Sequence, residues 1–239
     1  MKKTELLINA LKAYDISLSD TQLAQFESFE KFLKDYNSHT NLVSSKDIEL
    51  VWEKHFVDSI AFLKYLSPTQ AYKLIDIGSG GGFPVIPEAI ILTNANIFAL
   101  DSTSKKTSFL EKASAHLSLN NLSVINDRAE ELAHRKTFRE NFDIVTARAV
   151  GNLAQISELA LPFLKQGGNF IAYKSTKLAE EIAQAKNTIA LLGGEIQEVF
   201  EYEINSDENF KRNLVLIKKI NPTPIDFPRS FSAIKNKPL

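Results

Sequence analysis

The chain has 239 residues, of which 44% are hydrophobic and 24% charged, enough for one large α/β domain or one domain with an appendage. It contains no cysteine, which excludes disulfides, cysteine-rich zinc sites and a catalytic thiol. The net charge is -1, so any attraction for a polyanion must be local. No apolar run approaches the ~20 residues of a membrane span. Residues 1–9 lack the apolar core of a secretion signal, and a cytoplasmic location is expected.

Residues 4–66 read as helical. Leu6, Leu7, Ala10 and Leu11 make a first apolar stripe, and Ser19 with Gln22 forms a capping pair. Leu23, Phe26, Phe29, Phe32 and Leu33 continue through a long helix predicted to end near Asn37, before a polar loop. A third helix is predicted from Asp47, carrying Val51, Trp52, Phe56, Ile60 and Phe62. These helices have no strand partners, so residues 1–68 are expected to form an N-terminal helical cap, divided by Ser67-Pro68 from a second unit over residues 69–220.

From Tyr72 the chain alternates strand and helix. Strands are predicted at 74–77, 97–100, 122–125, 142–147 and 170–173, with helices such as 104–119 and 178–192 between them. Two more follow at 195–202 and 213–217, the last antiparallel because only a short loop precedes it. This rhythm predicts a doubly wound, Rossmann-like α/β sheet. The proline-containing tail, residues 221–239, is expected to be extended or mobile.

The chemistry is concentrated after the first strand. Leu74-Ile75-Asp76-Ile77 leads into Gly78-Ser79-Gly80-Gly81-Gly82-Phe83-Pro84. A buried strand ending in bare backbone suits close approach by a ligand. The dinucleotide fingerprint needs a third glycine where Phe83 stands, and a P-loop needs a lysine that is absent. An acidic residue two places before Gly-x-Gly-x-Gly resembles motif one of the S-adenosylmethionine-dependent methyltransferases instead. Ligands of open parallel sheets bind beyond the carboxyl ends of the strands. There the second strand delivers Asp101, suited to ribose hydroxyls or to capping the next helix. The third leads into Arg128-Ala129-Glu130, suited to an adenine edge or to an ordinary helix start. The fourth and fifth deliver Arg148 and Lys174. Arg128, Arg148 and Lys174 are read as a basic floor for a phosphate-rich substrate, extended by Lys105, Lys106, Lys211 and Arg212, the alternatives being pairing with Asp76, Asp101 or Asp127 and plain solvation. His55 stands beside Asp58 at helical spacing and reads as a surface group or a substrate-positioning one. Asn41 suits a base contact or a turn. No metal cluster is visible.

With these residues assembled, the sequence resembles the ribosomal small-subunit RNA methyltransferase G family, also called glucose-inhibited division protein B. The likeness rests on the 37–41 loop with Leu42, Lys54-His55 with Asp58-Ser59, the stretch from Asp76 to Pro87, Asp101-Ser102 with Lys105-Lys106, Arg128-Ala129-Glu130, Arg148-Ala149, Lys174 and Arg212. Ser175 and Asp127 depart from the family pattern, where glycines often stand. The resemblance implies transfer of the methyl group of S-adenosylmethionine to N7 of a guanine in small-subunit ribosomal RNA or its ribonucleoprotein particle. It implies cofactor contacts at Gly78, Phe83, Ala129, Glu130 and Arg148, to which Gly80 and Asp101 are added from the strand-end reading. Asn41, His55, Arg128, Lys174 and Arg212 are the candidates for positioning substrate. A monomer without a metal is expected. The alternatives are a small-molecule methyltransferase and a non-catalytic nucleotide-binding assembly factor.

Overall fold

The computed structural model describes residues 3–40, 42–175, 178–204 and 210–239. Seven strands form one sheet in the order β3-β2-β1-β4-β5-β7-β6. They are β1 (Lys73–Ile77), β2 (Asn96–Asp101), β3 (Leu122–Asn126), β4 (Phe142–Arg148), β5 (Leu164–Lys174), β6 (Gly194–Ile204) and β7 (Phe210–Lys219). β1 to β5 run parallel, while β7 runs antiparallel to β5 and β6. The chain steps outward from β1 to β3, then returns to lay β4 on the other side of β1. That reversal makes the crevice at the carboxyl ends of β1 and β4 the place where a doubly wound sheet binds ligands.

The helices divide between two faces. On one lie α1 (Lys3–Lys12), α2 (Asp20–Thr40), α3 (Ser45–Glu49) and α4 (Val57–Ser59), with α5 (Val85–Ile91) and α6 (Ser104–His116). Phe26, Phe29 and Leu33 of α2 share one buried core with Ile86 and Ile90 of α5, Phe109 of α6 and Leu74, Ile97 and Ile144 of the sheet. The N-terminal helices thus cover sheet and crossover helices in continuous apolar contact. Gln22 and Gln25 donate to the Ile90 and Leu117 carbonyls at 2.8 and 2.9 Å, satisfying carbonyls near the ends of α5 and α6. The other face carries α7 (Ala129–Leu132), α8 (Leu153–Ala160) and α9 (Leu178–Leu191). Asn152 and Gln155 make a reciprocal capping box at the start of α8.

The strands fall where hydrophobic patterning places them, with β5, β6 and β7 longer. Two helical expectations change. α2 continues to Thr40, because Asn37 faces inward and both ends of its amide bond the Val43 backbone, at 2.9 Å each. The third predicted helix is instead α3, a π-helical turn over Val51–Phe56, α4 and a 3₁₀ turn over Ile60–Lys64. Val51, Trp52, Phe56, Ile60, Ala61, Phe62 and Leu63 are all buried, so no single helical stripe fits them. The widened turn also carries the Lys54 and His55 carbonyls, which face Arg148.

The tail is neither extended throughout nor loose. It forms α10 (Phe231–Asn236) and packs Ile234 into the core. Arg229 grips the Glu158 carboxylate with Nε and Nη2, both at 2.7 Å, and Arg139 donates to the Thr223, Pro224 and Phe227 carbonyls at 2.8 to 3.0 Å. A hydrophilic, proline-rich sequence gives no sign of this, because side-chain-to-carbonyl bonds across ~90 residues leave no periodicity. Glu158 is only 1% exposed, so losing its cation leaves a buried charge uncompensated. Arg229→Ala is expected to cost on the order of 3 kcal/mol in chemical denaturation; a wild-type midpoint and slope would refute this account of the tail.

Candidate active site

The turn after β1 is shaped by backbone. Gly78 and Ser79 donate to the Leu100 carbonyl at 2.8 and 3.1 Å, and Gly80 donates to Oδ2 of Asp101 at 3.0 Å. Gly78 sits at φ +75, where a Cβ would lie 2.6 Å from Cγ2 of Val150. A side chain is excluded there by conformation and by space. Asp101 also accepts from the Thr103 amide at 2.9 Å, so it stabilises the start of α6 as well as the glycine turn.

These residues line a hollow of about 440 Å³. Gly78, Asp101, Ala129 and Glu130 line it, with Ile77, Leu100 and Leu159 as apolar lining and Phe231 from the tail. The residue set suits adenosine: an apolar slot for a flat base, a carboxylate for ribose hydroxyls, and first-turn amides of α7 that lack helical acceptors. Gly80 contributes its amide to Asp101 rather than wall. Phe83 is turned away; it is buried among Phe29 and Phe56 and stacks on His55 with centroids 4.6 Å apart.

A second hollow, about 420 Å³, is lined by Asp58, Arg148, Tyr173, Lys174, Ser175, Glu181 and Arg212. The two hollows meet at Ala149 and Gly151, which line both. Each has φ +58, an uncommon conformation for alanine, and the chain bends sharply between the two sites. Arg148 is anchored here rather than in the first hollow. Its Nε meets Oδ2 of Asp58 at 3.1 Å, Nη1 reaches Oγ of Ser59 at 3.3 Å, and Nη2 meets Nδ1 of His55 at 2.5 Å. Tyr202 donates to the other Asp58 oxygen at 2.5 Å. Lys174 meets Glu181 at 2.6 Å and donates to the Gly151 carbonyl at 3.0 Å.

The basic floor is therefore narrower than the sequence reading. Arg148, Lys174 and Arg212 share one hollow, but Arg128 does not join them. β2 and β1 lie between β3 and β4, so Arg128 stands in the first hollow, where Nε bonds Glu130 at 2.6 Å and the guanidinium lies 4.9 Å from the Phe231 ring. Lys105 and Lys106 are directed to the Thr40 carbonyl and Asp101. The carboxylates that pair the strand-end cations are Asp58, Glu181 and Glu130, not the aspartates considered from sequence. Asn41 lies outside the described residues. Among those described, no group of three or more His, Cys, Asp or Glu is placed to hold a metal ion.

His55 is not a surface group. Burial, then the neighbouring Arg148 charge, push its pKa down to about 3. With Nδ1 accepting from Arg148, the proton of the neutral ring is on Nε2, which is buried without a partner.

Sequence reasoning missed a buried acid pair. Oγ1 of Thr146 lies 3.1 Å from Oδ1 of Asp76 and 3.3 Å from Oε2 of Glu88, and both carboxyls are fully buried. The hydroxyl has one proton, so two contacts are satisfied together only when a carboxyl supplies the second. Desolvation raises both acids above the carboxylate range; the Asp101 charge adds to this at Asp76, and the Asp76 charge adds to it at Glu88. The available signal was a lone glutamate within the apolar run Val85-Ile86-Pro87-Glu88-Ala89-Ile90-Ile91.

The sheet order, the glycine turn and Asp101 define a class I methyltransferase, the class whose methyl donor is S-adenosylmethionine. Solved structures agree on the fold: an NSun6 from Pyrococcus horikoshii (TM-score 0.53, 14% identity, 64% of this chain and 50% of that one) and a Methanococcus jannaschii fibrillarin pre-rRNA processing protein (TM-score 0.52, 18% identity, 67% and 74%). A family model described as rRNA small subunit methyltransferase G matches residues 22–215. Curated relatives named ribosomal RNA small subunit methyltransferase G include those of Clostridium novyi, 40% identical over 98% of this chain and 96% of the relative, and Clostridium beijerinckii, 40% identical over the whole of both. The chain belongs to the rRNA small subunit methyltransferase G family.

Two titrations test this geometry. The folded state holds carboxyl protons that the unfolded chain releases in the ordinary range, so the acid pair's contribution is present at acid pH and lost as pH rises toward neutrality. Glu88→Gln is expected to gain stability relative to wild type between pH 4.5 and 8 in urea titrations; a pH-independent difference would contradict the buried pair. His55 has the opposite sign: its contribution is present above pH ~6.5 and lost as pH falls toward 3. Its imidazole ¹⁵N shifts are expected to stay neutral at pH 5, and a midpoint near 6.5 would place it in solvent.

Proposed function

We propose that this protein transfers the methyl group of S-adenosylmethionine to N7 of a guanine in small-subunit ribosomal RNA. The observation that carries the reading is the junction of the two hollows at Ala149 and Gly151. One suits a nucleoside cofactor. Among the described residues, the other is lined by three cations and two carboxylates, a local positive surplus on a chain of net charge -1. A polyanion is held by such a surplus through phosphate contacts, and a base delivered out of its stack enters between them.

S-adenosylmethionine supplies an electrophilic methyl group on a sulfonium. The chain's own residues hold and align. Asp101 receives the ribose hydroxyls, Gly78 admits the cofactor against bare backbone, and the Ala129 and Glu130 amides read the adenine edge. Guanine N7 carries an in-plane lone pair and no proton, so its attack needs no general base. Catalysis is alignment, consistent with a site whose single histidine stays neutral. The guanidinium of Arg148 is held by Asp58, Ser59 and His55, which keeps it off N7. Arg148 thereby shapes the passage between the hollows, while Lys174 and Arg212 meet phosphate or O6. Where amino-nitrogen methylation uses an Asn/Asp-Pro-Pro-aromatic segment, the end of β4 here holds Ala147-Arg148-Ala149-Val150. A helical cap over residues 1–68 and a catalytic unit over 69–220 remain the working division of the chain.

Asp101→Ala is expected to weaken S-adenosylhomocysteine at least tenfold by calorimetry. Arg212→Ala is expected to keep cofactor affinity and lose at least tenfold in methyl transfer to ribosomal particles from a strain lacking this enzyme. Digestion and mass spectrometry of wild-type product should show N7-methylguanine; methyl on another atom would overturn the assignment.

A further inference from the structure

The match to the family model ends at residue 215, yet the chain beyond it reaches the first hollow. Phe231 is 43% exposed and is the only aromatic among the exposed large hydrophobic residues described. An aromatic ring left outside the core has a reason when it is held rigidly against a cavity. Phe231 is held on both sides in sequence. Two residues earlier Arg229 clamps buried Glu158, and three residues later Ile234 is buried. The Arg128 guanidinium lies 4.9 Å from its ring. The ring borders the cavity lined by Gly78, Asp101 and Ala129.

We propose that the C-terminal segment is a strap that supplies Phe231 as an aromatic wall for the adenine end of S-adenosylmethionine, with Arg128 braced on the same ring. The inference rests on placing the adenosine in the first hollow, and it adds a contact outside residues 22–215. A flat purine against the ring gains stacking area and cation–π support through the Arg128–Phe231 pair. Phe231 is thus a positioning residue for the cofactor and has no part in moving the methyl group.

The test is calorimetry with S-adenosylhomocysteine and with methylthioadenosine, which shares the adenosine but lacks the amino-acid end. Phe231→Ala is expected to weaken both by about tenfold, the loss of one base–aromatic stack. KM for S-adenosylmethionine should rise while kcat at saturation holds. Phe231→Trp is expected to bind normally and to report binding as fluorescence quenching, distinct from buried Trp52. Should Phe231→Ala melt early, Phe231→Leu decides, because it keeps apolar bulk without a π face: weakened binding at native Tm supports the strap, and wild-type affinity overturns it. Wild-type affinity in Phe231→Ala with a native Tm likewise overturns it. Asp101→Ala separates the two levels. Loss there with unchanged Phe231 variants removes only the strap, whereas unchanged affinity in Asp101→Ala removes the site itself.

Discussion

The pairing of Arg148 with Asp58 is the contact on which the site's arrangement depends. Arg148 ends β4, at the switch point of the sheet, and Asp58 belongs to the helical segment that packs over it. Both are largely buried, and a buried pair of this kind holds only when its remaining donors and acceptors are met. Ser59, His55, the Lys54 carbonyl and Tyr202 meet them. The irregular run through Val51–Phe56 is intelligible in the same terms, since it brings carbonyls toward a guanidinium at the sheet edge. One ion pair thereby registers the N-terminal helices against the catalytic crevice and bounds the second hollow.

Beneath the crevice the molecule keeps charge low. Asp76 and Glu88 are pushed toward their neutral forms by burial, and His55 is kept neutral by burial and by Arg148. The proposed reaction, which brings a sulfonium to an uncharged base and leaves a cation on it, is sensitive to every fixed charge nearby. Under the proposed placement of the cofactor, the site offers backbone donors, the Asp101 carboxylate and strand-end cations engaged by Asp58 and Glu181. Left-handed backbone is placed in the same region, as strain at Ala149 and without it at the glycines of the β1 turn.

Much of the architecture is legible in the chain itself. Strand positions follow from short apolar runs, because a strand buried on both faces needs them continuous. The Gly78–Gly82 turn and Asp101 are legible because the demand they meet is local: bare backbone after a strand, and a carboxylate at the end of the next one. The antiparallel β7 follows from the shortness of the loop before it.

What the sequence by itself determined was therefore the α/β class, the glycine turn after the first strand and the set of cations available at the strand ends. Tertiary structure decided which of them share a hollow. Arg128 left the group because strand order is a property of the sheet, not of the chain. Glu88 joined Asp76 through the Thr146 hydroxyl, 58 and 70 residues away respectively, and Glu158 joined Arg229 across 71 residues, contacts in which neither partner's neighbours reveal the other. Periodicity encodes which face a side chain takes. Which distant group it meets there is set only when helices and sheet close on one another and a buried charge must find its partner.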